Sequence, residues 1–420
     1  MDKFVIQGSS SLKGRITVDG SKNAALPIIA GALLIQKGES VIRNVPPLRD
    51  IYTIIEMIKY VGAKVSYDPK AQVMTINASK ITENTAPYDL MRQMRASFLV
   101  LGPILARVGE ARVSLPGGCS LGARPVDFHI KAFGALGAAI REEAGYVIAE
   151  GKPLRGGLVY FDRPSHTGTE NVLFGAVLAR NRTVITNAAC DPEIVDVSSF
   201  LNKAGAKIHG AGTPNIVVEP VKGLKAVEHS VSGDRLIAGT FMFGAAITGG
   251  QVRVSGVPEG DLTMVNHKLL EMGCEVKSEK SGISVKGPKR LSPVSVTTFP
   301  FPGFPTDLQA CIMAASTVAS GTSHIRETVF ADRFSHTMEM RRLGADITVA
   351  NAEAIVNGVP ELKGAEVMAP DIRAGAGLVL ACLAAKGKSE IQRVYHIDRG
   401  YYRLEEKLGA LGADIRREKQ

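Results

Sequence analysis

Val61-Gly62-Ala63-Lys64-Val65 is the first of six versions of one phrase: an apolar residue, a glycine, a small residue, a free position, then Val or Ile. The others are Leu136-Gly137-Ala138-Ala139-Ile140, Ala204-Gly205-Ala206-Lys207-Ile208, Met272-Gly273-Cys274-Glu275-Val276, Leu343-Gly344-Ala345-Asp346-Ile347 and Leu411-Gly412-Ala413-Asp414-Ile415. By subtraction the glycines stand 75, 68, 68, 71 and 68 residues apart, so six units of about 70 residues account for nearly all of the 420-residue chain. A fixed period of that length marks a repeat architecture.

Each unit also holds an apolar stretch rich in Ala and Gly, near 24–35, 96–107, 171–180, 235–248, 307–319 and 374–386. A helix apolar on nearly every side has to be buried on every side. Short β-rich pieces follow, such as Thr183-Val184-Ile185-Thr186 and Gln251-Val252-Arg253-Val254. A second, amphipathic helix, as from Ile51 to Val61 or from Asp332 to Leu343, then runs into the glycine phrase. The glycine ends that helix, and the alternation after it is that of a strand. Each unit therefore reads as strand, helix, strand, helix, strands. Three such units enclose three inner helices, which predicts two similar α/β domains with a cleft between them; a single ordinary α/β sheet does not explain the even spacing.

Composition narrows the function. The chain is 45% hydrophobic and 22% charged, which excludes a disordered protein. Lys and Arg number 50 against 41 Asp and Glu, a formal charge of +9 that calls for an anionic partner. Aromatics make up only 5% and Trp is absent, so the stacking surfaces of single-strand nucleic-acid binders are poorly supplied. The surplus reads as a concentrated anion site, with no nucleic acid as partner. Five cysteines with no CxxC pair give neither a zinc set nor a disulfide framework, and suit a reduced cytoplasm. The longest apolar stretches run about twelve residues against the roughly 20 of a bilayer span, so no membrane is expected.

Four stretches carry chemistry. Leu115-Pro116-Gly117-Gly118-Cys119-Ser120-Leu121-Gly122-Ala123-Arg124-Pro125 is a loop by its Gly and Pro content. Its Cys119 reads either as an inert filler or as a thiol whose pKa Arg124 draws toward neutrality, able to act as acid or nucleophile. The other four cysteines read as structural. In Gly20-Ser21-Lys22-Asn23, a lysine stands in the first turn of an inner helix, where it opposes the macrodipole unless an anion is there. It is either a solvated surface group or part of a phosphate cradle. Arg95, Arg333, Arg373 and Arg399 recur at helix starts and loop ends of successive units. Each is a surface ion-pair partner or one of a group converging on a small di- or trianion, which guanidinium forks suit. Asp307, at the start of the fifth inner helix, is an N-cap or a base.

Five of these motifs together resemble one enzyme family. Ser21-Lys22-Asn23-Ala24-Ala25-Leu26-Pro27, Met94-Arg95-Ala96-Ser97, Pro116-Gly117-Gly118-Cys119-Ser120-Leu121-Gly122-Ala123-Arg124-Pro125-Val126-Asp127-Phe128-His129, Gly303-Phe304-Pro305-Thr306-Asp307 and His396-Ile397-Asp398-Arg399-Gly400-Tyr401 look like the UDP-N-acetylglucosamine 1-carboxyvinyltransferases. These are enolpyruvyl transferases of bacterial peptidoglycan synthesis. The sister family of 5-enolpyruvylshikimate-3-phosphate synthases usually has Gly-Ser-Lys-Ser at the first motif and no Cys loop, so Asn23 and Cys119 decide against it. The resemblance implies an inside-out α/β barrel of two domains, each of three βαβαββ repeats. Residues 22–230 would form one domain, and residues 1–21 with 231–420 the other, the N-terminal strand joining the C-terminal domain.

It also implies a reaction: the enolpyruvyl group of phosphoenolpyruvate passes to the 3′-hydroxyl of UDP-N-acetylglucosamine and phosphate leaves, with no metal or cofactor. Carried over residue by residue, Cys119 is the general acid and site of a covalent adduct, and Asp307 the base. Lys22, Arg124 and Arg399 hold the phosphate, with Asn23 alongside and Arg333 and Arg373 as further partners of the donor. Arg95, Arg124, Pro125, Val126, Asp127, Phe128, Asp307 and Val329 contact the UDP-sugar. Fosfomycin would alkylate Cys119. One stretch departs from the family: Pro164-Ser165-His166-Thr167-Gly168-Thr169-Glu170-Asn171 stands where many members read Pro-Ser-Val-Gly-Ala-Thr-Glu-Asn. His166 and Thr167 fall where nucleotide contacts are expected, which leaves a related transferase with another acceptor hydroxyl as the alternative.

Overall fold

The repeat phrase is a helix end. Its six glycines, Gly62, Gly137, Gly205, Gly273, Gly344 and Gly412, have φ of 110°, 92°, 110°, 86°, 90° and 95°. Only glycine enters that region at no steric cost, so each terminates the half-exposed helix before it and turns the chain into a strand. The computed structural model describes residues 2–92, 94–115, 126–279 and 282–419, and of Arg95 the backbone alone. It divides into two compact units, one of Gly20–Ser232 and one of Met1–Asp19 with Gly233–Gln420.

Within each unit three inner helices pack on one another. In the first they are Lys22–Gly31, Leu101–Val108 and His166–Val177; in the second, Arg235–Ile247, Gln309–Ser316 and Ile372–Ala384. No residue of Arg235–Ile247 or of Gln309–Ser316 is exposed. Their small residues let the backbones approach: a Cβ on Gly377 would stand 2.6 Å from the Ala310 carbonyl oxygen, and one on Gly102 2.6 Å from that of Asn171. The outer helices, such as Arg49–Tyr60 and Pro192–Lys203, bury one face only.

Six four-stranded sheets share one order among the described residues. A first strand lies parallel to a second, the second antiparallel to a fourth, and the fourth antiparallel to a third. Ser295–Thr297, Thr322–Arg326, Glu353–Asn357 and Asp346–Ala350 show the pattern. The sixth sheet is completed by the start of the chain, because Asp2–Gln7 lies antiparallel between Lys388–Gln392 and Asp414–Lys419. Lys13–Thr17 in turn pairs with Gln251–Ser255, and Glu228–Ser230 with Ser40–Arg43. Each unit is thus an inside-out α/β barrel of three βαβαββ repeats, closed by a strand from a distant part of the same unit. No helix among the described residues is long and apolar enough to cross a membrane.

Candidate active site

In the unit of Gly20–Ser232 the first inner helix begins with Ser21 as its N-cap, the hydroxyl accepting from the Ala24 amide at 3.3 Å. Gly20 is fixed by crowding, since a Cβ there would sit 1.8 Å from the Asn44 carbonyl oxygen. Lys22 follows, 8% exposed, with its Nζ 3.1 Å from Asp50 Oδ2. The anion that a lysine in this position calls for is therefore a side chain, contributed by the outer helix Arg49–Tyr60. Asn23 is half-buried beside it. Cys119, Arg124 and Pro125 lie outside the described residues, as does the side chain of Arg95. Val126 is buried, Asp127 exposed and Phe128 half-buried with the Arg163 guanidinium 5.4 Å from its ring.

The departing stretch opens the third inner helix. His166 sets Nδ1 3.4 Å from Glu170 Oε1 and Nε2 3.8 Å from Glu193 Oε2. Burial opposes charge on the ring, but the Glu170 carboxylate beside it holds the imidazole well above its ordinary value. His166, Asp191 and Glu193 present ligand atoms within 4.8 Å of one another, as a metal site would, yet an imidazolium set between carboxylates accounts for the same geometry. Thr167 turns toward His129. The Asn171 amide donates to His129 Nδ1 at 3.1 Å, which leaves the ring proton on Nε2, 3.4 Å from the Thr167 hydroxyl.

In the other unit the fifth inner helix starts at Thr306–Leu308 and carries Asp307 between two guanidiniums. Arg333 Nη1 donates to Asp307 Oδ1 at 2.7 Å and Arg373 Nε to Oδ2 at 3.0 Å. Both arginine side chains are under 8% exposed, at 7% and 4%, whereas Asp307 is 25% exposed and so the accessible member of the trio. Burial works against the Arg373 charge, but nearby Tyr401, Asp307 and Asp234 hold its pKa above the ordinary guanidinium value. Its guanidinium lies 5.4 Å from the Tyr401 ring, and the Tyr401 hydroxyl is 2.9 Å from Thr240 Oγ1. Asp307 is not the N-cap of the following helix in the hydrogen-bonding sense, since no side chain caps that end. Arg399 is half-buried on Val394–Arg399, a segment packed against the helix Ile372–Ala384.

Two acids of these sites escape a reading of the sequence. Asp50 looks like any acid in a helix's first turn. Glu327 follows the strand Thr322–Arg326 with nothing to distinguish it, yet it is 3% exposed and accepts four hydrogen bonds. The structural reading fits the surroundings of three of the other four cysteines, since burial pushes the Cys274, Cys311 and Cys382 thiols up to about 12, while Cys190 is half-buried.

Two units, each of three mostly buried inner helices and three equivalent sheets, make the fold of the enolpyruvyl transferases. The enolpyruvyl transferase NikO from Streptomyces tendae matches over 100% of this chain and 99% of its own, with a TM-score of 0.89 at 24% identity. EPSP synthase from Acinetobacter baumannii matches over 100% of both chains with a TM-score of 0.78 at 20% identity. The family profile for EPSP synthase (3-phosphoshikimate 1-carboxyvinyltransferase) covers residues 6–408. Much nearer in sequence is a UDP-N-acetylglucosamine 1-carboxyvinyltransferase of Myxococcus xanthus, 51% identical over 420 residues and 100% of both chains. One from Caldanaerobacter subterraneus subsp. tengcongensis is 50% identical over 415 residues, 99% of each. The chain belongs to the enolpyruvyl transferase family, within its UDP-N-acetylglucosamine 1-carboxyvinyltransferase branch.

Proposed function

We propose that this chain transfers the enolpyruvyl group of phosphoenolpyruvate to the 3′-hydroxyl of UDP-N-acetylglucosamine in the cytoplasm, releasing phosphate in the first committed step of peptidoglycan synthesis. The observation that carries the reading is half identity, end to end, with relatives named for that activity. In the reaction Cys119 gives its proton to the methylene carbon of phosphoenolpyruvate, leaving an oxocarbenium-like C2 that the thiolate can trap as an adduct. The sugar 3′-oxygen attacks C2 while Asp307 accepts its proton. The tetrahedral intermediate then loses a methyl proton and phosphate together, restoring the double bond in the product.

Lys22, Arg124 and Arg399 take the phosphate, with Asn23 alongside, and Arg333 and Arg373 serve the donor's remaining charge. Fixed cations of this kind favour an intermediate more charged at its centre than the substrate. For Lys22 this means that the phosphate competes with or joins Asp50, the partner it has here. Arg95, the run Arg124 to Phe128, and Val329 contact the UDP-sugar. Cys119 is also the atom fosfomycin alkylates in this reading.

The test is phosphate release from phosphoenolpyruvate with and without UDP-N-acetylglucosamine, for the wild type and Cys119→Ala. Release that requires both substrates and is lost in the variant supports the reading. No release by the wild type with this acceptor overturns it and turns attention to other hydroxyl acceptors and to His166 and Thr167.

A further inference from the structure

Two of the proposed acceptor-side elements of this unit hang from Glu327. Its Oε1 accepts from the Thr298 hydroxyl at 2.6 Å, the Val329 amide at 2.8 Å and the Phe330 amide at 3.0 Å. Its Oε2 accepts from the Thr306 hydroxyl at 2.9 Å. With its proton given to Glu327, the Thr306 oxygen is left as an acceptor, and Arg333 Nη1 donates to it at 3.0 Å. The same Nη1 donates to Asp307 Oδ1 at 2.7 Å, and the Arg333 guanidinium lies 5.6 Å from the Phe330 ring. A continuous run of alternating charge and hydroxyl therefore leads from Glu327 through Thr306 and Arg333 to Asp307. A second branch fixes the backbone at Val329 and Phe330.

We infer that Glu327 is a positioning residue for the transfer: one buried carboxylate sets both the orientation of Asp307, through Thr306 and Arg333, and the backbone course at Val329. This rests on the roles proposed above for Asp307 and Val329. Four donors converge on the side chain, so it must be a pure acceptor. A glutamine can keep its oxygen on the Thr298 hydroxyl and the two amides and turn its NH2 toward Thr306, whereas a methionine of similar size offers none of the four donors an acceptor oxygen. A base moved by a fraction of an ångström loses rate far more than binding, because transfer demands alignment that ground-state binding does not.

Three variants test it. Thr306→Val removes only the link to Arg333 and Asp307, and its kcat is expected to fall about 10- to 100-fold, the range that a misplacement of this order produces. Thr306→Ser, which keeps the hydroxyl, should restore kcat. Glu327→Met should lower kcat at least as far and speed hydrogen exchange at the Val329 and Phe330 amides by about tenfold or more, as loss of a buried acceptor implies. Unchanged kcat in Thr306→Val, or a loss that Thr306→Ser does not restore, overturns the link to Asp307. Unchanged exchange at Val329 and Phe330 in Glu327→Met overturns the backbone branch. The exchange measurement needs no turnover, so it separates failure of this inference from failure of the proposed reaction, which wild-type inactivity would show.

Discussion

The first and fifth inner helices begin with opposite charges. At the first, a cation, Lys22, rests on one carboxylate, Asp50, and both side chains are under 10% exposed, at 9% and 5%. At the fifth, an anion, Asp307, is held by two guanidiniums and remains one quarter exposed. The repeat supplies the same frame at both places, a helix start facing the end of a neighbouring element, and the side chains set what each end attracts. One end holds a balanced pair that an incoming anion has to disturb. The other presents a carboxylate whose geometry is fixed by cations yet whose oxygens are reachable, as a base requires. Fold and chemistry are thus separable in this chain: the period builds the frame, and a few substitutions at its helix starts make the site.

The sharpest break of this comparison is at Asp307. Asp307→Asn keeps the shape but removes the proton acceptor, and kcat is expected to fall by about 10²- to 10⁴-fold, the usual contribution of a general base. Turnover within threefold of wild type would deny Asp307 that role. At the other end, Asp50→Asn leaves the Lys22 ammonium buried without its carboxylate. Breaking a buried pair from one side destabilises by about 3 kcal/mol, measured by urea unfolding of the full chain. Added inorganic phosphate should recover more stability in the variant than in the wild type if Lys22 is a phosphate ligand. Equal phosphate effects on the two would count against that role.

Two histidines extend the contrast to pH. His336 is buried near Arg333, and burial lowers its pKa to about 4, Arg333 adding to the effect against the opposing pull of Asp371. Between that value and the ordinary 6.5 the unfolded chain binds a proton that the folded chain does not. Stability is therefore full above pH 6.5 and falls as the pH drops toward 4, by no more than about 1.4 kcal/mol per pH unit. His336→Gln should flatten that slope in a series of thermal midpoints. His166 has the opposite sign. Its carboxylate neighbours raise its pKa above 6.5, so its contribution is complete below pH 6.5 and is lost as the pH rises through the folded value. His166→Val, which leaves Glu170 and Glu193 buried without their cation, should cost stability at pH 6, and the loss should shrink as the pH rises through the folded value. A loss that grows with pH would mean that the imidazolium is not what stabilises the cluster.

Much of this was legible in the sequence because the fold is written six times. One glycine phrase can be chance; six at nearly even spacing locate every outer helix end, and the Ala-Gly stretches locate the helices that must be buried. The place of the first strand was legible through the family resemblance, which puts it in the C-terminal domain, and Asp2–Gln7 does lie between Lys388–Gln392 and Asp414–Lys419. Arg333 and Arg373 stood out among the arginines of successive repeats and Asp307 as a carboxylate at an inner-helix start, and the structure brings these three together. What stayed hidden is the partner of each charge. Asp50 lies 28 residues from Lys22 and Thr306 lies 21 from Glu327. Such pairings are set by packing between elements, and no local pattern or period marks them. Nor could the sequence say that His166 would be turned toward Glu170 and Glu193, because a histidine at a helix start has no preferred partner until the neighbouring helix is in place.

The central claim, that Asp307 and Cys119 serve one transfer to a sugar hydroxyl, is tested most directly by following the fate of the donor carbon. Phosphoenolpyruvate labelled with ¹³C at C2 is incubated with UDP-N-acetylglucosamine and the wild type, Asp307→Asn or Cys119→Ala, and the products are read by NMR. The label should appear in a vinyl ether on the 3′-oxygen of the sugar with the wild type and with neither variant. Label recovered as pyruvate, or a vinyl ether formed as readily by Asp307→Asn, would contradict the account.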